Sequence, residues 1–234
     1  CSDVLRVLVG LEGIFKEMAD GFLTKAEQQK IDACVRAAET RTRGEIVVMV
    51  VPASDHYPTA GWLGATAFAF PLAIAFTPML GGILWAGPFN LWVFLATLLP
   101  LWVVSHEAAK RIPVMKRWFI SSKEMEAEVR EAACIQFSRK GLYRTRAETG
   151  VLIYVSVFER RVWVLGDRGI NARIPETDWQ GIVAALVRSI QAGRPAEGIC
   201  QAVGDVGRIL EENFPIGVGD VDELKNVMVE GRSP

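Results

Sequence analysis

The sequence predicts an α/β protein whose small mixed sheet, a parallel pair plus an antiparallel hairpin, is flanked by helices and interrupted by a two-helix transmembrane hairpin. Three observations lead there. No Asp, Glu, Lys or Arg occurs between Asp55 and Glu107. An unbroken apolar run, Glu45 to Val51, precedes that gap, as expected of a strand buried on both faces. Two further β-rich runs, Val151–Phe158 and Val162–Leu165, follow it and are separated only by Glu159-Arg160-Arg161.

The elements follow in order. Asp3 to Leu23 places Val4, Leu8, Leu11, Phe15, Met18 and Phe22 at helical spacing. Its charged residues lean acidic, whereas membrane-surface helices usually carry a basic face, so docking on a protein partner or on its own domain is expected. Thr24 and Glu27 form a capping box that starts a helix running to about Thr42, with Ile31, Val35 and Ala38 inward. Gly44 breaks it before the first strand. Ser121 or Ser122 opens a helix reaching about Lys140, with Gly141 as its stop. Thr177 to Gln180 reads as another capping box, opening a helix striped with Trp179, Ile182, Leu186 and Ile190. Pro195 starts the last helix, with Ile199, Val203, Val206 and Leu210 on one face.

The uncharged stretch is too long for one membrane span, which needs about 20 apolar residues, and suits two. Gly87-Pro88 marks the turn, giving spans near Ala60–Trp85 and Phe89–His106. Trp62, Trp85, Trp92 and Trp102 fall near the ends, as interfacial anchors do. Pro71, Pro78 and Pro100 lie inside the spans, and Gly64, Gly81 and Gly82 permit close helix packing against a partner. Lys110, Arg111, Lys116 and Arg117, with Trp118, crowd the exit of the second span, while the turn between spans carries no charge. The positive-inside bias therefore predicts an inner-membrane protein with everything outside the hairpin in the cytoplasm. The same basic run is expected to contact lipid headgroups or an acidic partner surface.

An even number of spans returns the chain to one side, where both halves can build one core. The expected organisation is an amphipathic segment over 1–22, a split α/β domain over 23–58 and 107–225, a hairpin over 59–106 and a tail over 226–234. Cys34, Cys134 and Cys200 are scattered singly, without CxxC or disulfide spacing, and read as small core residues. Cys1 leaves one alternative, a lipidated N-terminus with the domain on the opposite side of the membrane.

Composition narrows function. The chain of 234 residues is 50% apolar and 23% charged, with a net charge of −1, so nucleic acid is not an expected partner. Mean hydropathy of +0.23 is raised by the hairpin. There is no P-loop, HExxH, GxSxG or dinucleotide fingerprint, and the two histidines flank the hairpin.

Several landmarks occur together in order: Leu23-Thr24 with Glu27, Thr42-x-Gly44-Glu45-Ile46-Val47-Val48, Thr149-Gly150-Val151-Leu152-Ile153, Glu159-Arg160-Arg161-Val162, Asp167-x-Gly169-Ile170, Trp179, Gly198-Ile199 and Phe214-Pro215. With these, the chain from about Leu23 to Leu224 resembles the TPM domain, named for thylakoid photosystem-repair proteins and a nematode receptor modulator. It looks most like the bacterial membrane branch with a transmembrane hairpin inserted in the domain. The resemblance implies a mixed α/β sandwich. It also implies association with membrane complexes, photosynthetic or electron-transfer ones among them, because some members assist their assembly or repair. Weak acid phosphatase activity and calcium binding are associated with plant members.

One site follows from topology. If the first two strands are parallel and the third turns back, Glu45, Thr149 and Asp167 meet at one sheet edge, with Asn171 and Arg168 in the adjoining loop. Glu45, Thr149, Asp167 and Asn171 are candidate ligands for a hard cation such as calcium. Glu45 and Asp167 are the candidate acid–base pair of a metal-dependent phosphatase. The bland reading pairs Glu45 with Arg43 or Arg168 and uses Asp167 to cap the Gly169 turn. The leading expectation is an accessory, assembly or stabilising subunit bound to other membrane-protein subunits and the bilayer; the phosphatase is the alternative.

Overall fold

A computed structural model describes residues 21–55, 57–85, 87, 90–111, 117–144, 148–215 and 227–229. Cys1 and most of the expected amphipathic segment lie outside them. The chain divides into two compact units, one made of Cys1–Asp55 with Glu126–Pro234 and one of His56–Met125.

The first unit begins with α1 (Lys25–Glu39). Its capping box forms as the sequence dictates: Thr24 Oγ1 accepts from the Glu27 amide at 3.3 Å, and the Glu27 carboxylate accepts from the Thr24 amide at 2.8 Å. Those Thr24 bonds hold the Glu27 carboxyl below the usual carboxylate range. At the other end, Glu39 Oε1 accepts from the Ile46 amide at 3.0 Å, tying the helix end to β1 (Glu45–Val51). Helix α4 (Ser122–Arg139) starts with the Ser121 hydroxyl accepting from the Lys123 amide, and Gly141 follows with φ +71°. Next come β2 (Gly150–Ser156) and β3 (Arg161–Gly166), joined through a turn in which Arg160 takes φ +54°.

β1 and β2 pair in parallel, with Glu45 opposite Gly150 and Val51 opposite Ser156. β2 and β3 are antiparallel, with Val151 opposite Gly166. The expected mixed sheet is thus present. The expected tail contributes a fourth strand, β4 (Val227–Val229), parallel to β1, giving the order β3-β2-β1-β4. Three residues carry too little periodicity to be read as a strand in isolation.

Both sheet faces are covered. Ile46, Val48 and Val50 with Val151, Ile153 and Val155 pack against α1, α6 (Glu176–Gln191) and α7 (Pro195–Asn213). Val47, Met49 and Val51 with Leu152 and Tyr154 meet Val129, Ala132 and Ala133 of α4. Burial on both faces explains the unbroken apolar run of β1, every residue of which is buried.

Two expectations need correction. Helix α6 starts at Glu176 behind Pro175, with no side-chain cap, so the Thr177–Gln180 capping box does not form; Thr177 bonds Asp178 instead. Proline holds the extended backbone that a start requires, two residues earlier than the threonine would. Cys34 and Cys200 are not isolated core residues but a disulfide, with Cα atoms 5.7 Å apart across 166 residues of sequence. A separation that long leaves no spacing signature. Cys134 is free and exposed.

The second unit is built on α2 (Pro58–Ile83) and α3 (Leu91–Arg111), both long and apolar enough to cross a membrane. The turn between them uses Gly87 at φ +88°, where a side chain would be strained. Gly61, Ala65, Ala69, Ala73, Thr77 and Gly81 recur every fourth residue along α2, and all are buried. Across the pair, Phe70 meets Phe94 edge-on at 5.7 Å, and Trp102 Nε1 donates to Thr66 Oγ1 at 3.3 Å. Trp85 and Trp92, by contrast, are 96% and 78% exposed.

Candidate functional site

The parallel β1/β2 pair and the returning β3 place the three expected positions side by side. Glu45 lies opposite Gly150, and the Asp167 amide donates to the Gly150 carbonyl at 2.9 Å, so Glu45 and Asp167 flank this glycine. A Cβ on Gly150 would stand 2.6 Å from the Leu142 carbonyl oxygen, so no larger residue fits between them without displacing that backbone. Thr149 precedes the glycine and is buried; its hydroxyl donates to the Arg43 carbonyl at 3.1 Å.

Asp167 divides its work. One carboxylate oxygen accepts from the Arg168 amide at 2.7 Å and caps α5 (Arg168–Asn171), a single turn. The other, Oδ2, is buried with no hydrogen-bond partner among the described residues, in a residue only 8% exposed. Leaving a carboxylate oxygen buried and unmatched costs on the order of 1–3 kcal/mol, a cost that a bound cation or donor would remove. Asn171 points away: it is exposed, and its Nδ2 donates to the Gly166 carbonyl at 2.7 Å. Glu45 is also buried and is engaged by neighbouring groups.

Oxygen donors of the kind that Glu45, Thr149 and Asp167 carry at these adjacent positions suit a hard cation rather than zinc or iron. They are fewer than the six to eight that calcium takes. Among the described residues, no three Asp, Glu, His or Cys side chains converge as a metal cluster.

A second polar cluster, which sequence reasoning missed, lies at the opposite end of β1 and β2. Glu159, in the β2–β3 turn, is 2% exposed. Its Oε1 accepts from the Ser54 amide at 2.9 Å, and its Oε2 accepts from the Ser156 hydroxyl. Ser54 Oγ donates to Ser156 Oγ at 3.0 Å and lies 3.3 Å from the Tyr154 hydroxyl. The hydroxyls form a relay that ends on a carboxylate. It clamps Pro52–Ser54 to the turn, where Phe158 donates to the Pro52 carbonyl at 2.9 Å. A Glu between two strands reads as solvated turn, because only the register shows that Ser54 and Ser156 converge on it.

The remaining expected contact residues sit in or beside the hairpin. Gly64 and Gly81 are buried, Gly81 within the small-residue stripe, whereas Gly82 faces open space. Trp118 is 73% exposed and Arg117 half-buried. Lys110 and Arg111 end α3; their side chains, and all of Lys116, lie outside the described residues.

Comparison with known proteins places a family on part of this frame. Residues 115–209, less than half of the chain, match the TPM domain. That stretch takes in α4, β2, β3, α5, α6 and most of α7, and supports the resemblance read from the motifs. No curated protein matches the chain. Among solved structures, the chain is similar to the NMR structure of the BA42 protein from the psychrophilic bacterium Bizionia argentinensis. The two share 20% identity with a TM-score of 0.55, covering 89% of this chain and 96% of the other. At that identity the likeness concerns the fold.

Proposed function

We propose that this chain, with its TPM-matching segment, is a membrane-tethered accessory subunit that helps assemble or stabilise a larger membrane-protein complex. The observation that carries the reading is the pairing of β1 with β2 along their full length, although 98 residues of sequence, from 52 to 149, lie between them. A sheet interrupted in this way can form only if both ends of the insertion return to one side, as two spans require. The insertion would then anchor the domain in the bilayer. The basic flank argues for the cytoplasmic side. Exposed Gly82 and the large apolar side chains facing outward from α2 and α3 offer surface to neighbouring subunits as well as to lipid. Photosynthetic and electron-transfer complexes are the partner class that the resemblance suggests.

Purification of the full chain from native membranes in mild detergent tests this, with mass spectrometry of whatever accompanies it. Stoichiometric membrane subunits are expected, together with their loss on Gly82→Leu in a chain that still folds. Migration as a lone monomer would sink the proposal.

A second reading rests on the orphaned Oδ2 of Asp167: a metal-dependent phosphatase using Glu45 and Asp167, with calcium as the candidate ion and Thr149 as a further ligand. Asn171, turned to the Gly166 carbonyl, would have to swing round to join it. Calorimetric titration with calcium should give heat that Asp167→Asn removes, and phosphomonoester turnover should vanish in the same variant. Activity surviving that substitution would exclude the reading.

A further inference from the structure

The disulfide joins two helices already held together without it. Helices α1 and α7 run in the same direction, because Cys34/Cys200, Ala38/Gly207 and Arg41/Glu211 advance together along both. A Cβ on Gly207 would lie 2.8 Å from Ala38 Cβ, so the two backbones approach as closely as glycine allows. Ile31, Val35 and Ala38 of α1 and Ile199, Val203, Val206 and Leu210 of α7 are all buried in the same core. Arg41 and Glu211 close the far end at 3.3 Å. The linked cysteine Cα atoms stand 5.7 Å apart, within the 4.4–6.8 Å that a disulfide spans, and the contacts around them join the same two helices independently of the bond. The bond can therefore open and close without moving the helices. Both cysteines are only partly buried, at the rim of the core, where a small thiol reagent can reach them.

A permanent staple and a reversible site make opposite demands on the compartment. Permanent disulfides belong to oxidising compartments, whereas those of the cytoplasm are usually transient. The basic flank of the hairpin and the free, exposed thiol of Cys134 both favour the reducing side. We propose that Cys34 and Cys200 form a reversible thiol-modification site for low-molecular-weight disulfides of the glutathione type; this inference rests on the cytoplasmic orientation proposed above. One cysteine thiolate attacks a sulfur of oxidised glutathione, forming a protein–glutathione mixed disulfide and expelling one glutathione thiolate. The second cysteine thiolate then attacks the protein sulfur of that mixed disulfide and expels the other glutathione. In total, two protein thiols and one oxidised glutathione become one protein disulfide and two reduced glutathiones.

The test uses the full chain in its own membrane. In a Cys1→Ser/Cys134→Ser variant, rapid alkylation in growing cells should find both remaining thiols free. Oxidised glutathione added to isolated membranes should remove both, and dithiothreitol should restore both. The oxidised form should melt about 5–15 °C above the reduced one. Adding Cys34→Ala or Cys200→Ala should trap glutathione as a mixed disulfide on the partner cysteine, which a merely structural pair of small core residues would not do. Orientation is read separately, with Cys134 as the only cysteine (Cys1→Ser/Cys34→Ser/Cys200→Ser) and a membrane-impermeant maleimide. Shielding of Cys134 in intact cells with labelling after permeabilisation is expected. A pair that stays linked in growing cells while Cys134 is shielded would be a staple, overturning the inference but not the orientation. Labelling of Cys134 from outside would overturn both, and a pair that oxidised glutathione never links would overturn the inference alone.

Discussion

The two units bury opposite kinds of residue. In the α/β unit the fully buried positions are large: Ile46, Met49, Leu152, Ile153, Ile199 and Leu210. In the hairpin the buried stripe is Gly, Ala and Thr, while Leu63, Ile74, Met79 and Leu99 are 57%, 56%, 62% and 66% exposed. Water drives large apolar groups inward, and each fully buried aliphatic side chain contributes about 1.5–3 kcal/mol. A solvent as apolar as leucine supplies no such force, so helices pair through close contact of small residues and leave large ones facing outward. The two patterns within one chain are those that two different solvents would select, and both hairpin helices are apolar enough to cross a membrane.

Substitutions in both units probe that contrast, the largest expected loss first and its counterpart in the hairpin beside it. Ile153→Ala, at the centre of β2 and fully buried, should destabilise the α/β unit by about 2–5 kcal/mol in denaturant melts. Leu99→Ala in α3 should change detergent-solubilised stability by less than about 0.5 kcal/mol; an equal loss would mean that the hairpin buries its large residues as a water-soluble core does. Ala73→Leu, within the small-residue stripe of α2, should cost about 1–3 kcal/mol by overpacking. A fluorescence readout of hairpin separation should register it, whereas Ile74→Leu beside it should be silent. Glu159→Ala should cost about 1–3 kcal/mol by stranding the buried Ser54 amide and Ser156 hydroxyl.

A smaller loss than in either core is expected at a helix start. Helix α1 has a complete capping box, whereas α2 starts at Pro58 behind Tyr57, with φ +44° and no side-chain cap. Thr24→Ala should therefore cost about 1 kcal/mol. Because the folded state lowers the Glu27 pKa, its contribution is present above the unfolded value and is lost as pH falls through the folded value. Glu27→Gln should flatten the stability profile over that acid range alone. A flat wild-type profile there would show that the box contributes nothing.

Legibility followed the range of the interactions. Capping at Thr24, the stop at Gly141, the inward stripes of α1, α6 and α7 and the two apolar spans all depend on residues within a few positions of each other, and local pattern reports them. At the sheet edge, proximity of Glu45, Thr149 and Asp167 followed from strand direction alone. Their roles did not, since the turn of Asn171 toward Gly166 and the orphaned Oδ2 depend on side-chain placement.

By itself, then, the sequence determined the longer elements, the parallel-plus-antiparallel sheet and the division into a charged α/β unit and an uncharged hairpin. These are set by periodicity and by which solvent each segment tolerates. Tertiary structure alone decided that Cys34 meets Cys200, that Ser54, Ser156 and Glu159 close one buried relay, that Gly207 lies against Ala38, and that Val227–Val229 completes the sheet beside β1. Each of these joins residues far apart in the chain. Their meeting is specified by the packing of whole elements rather than by any feature of the residues themselves.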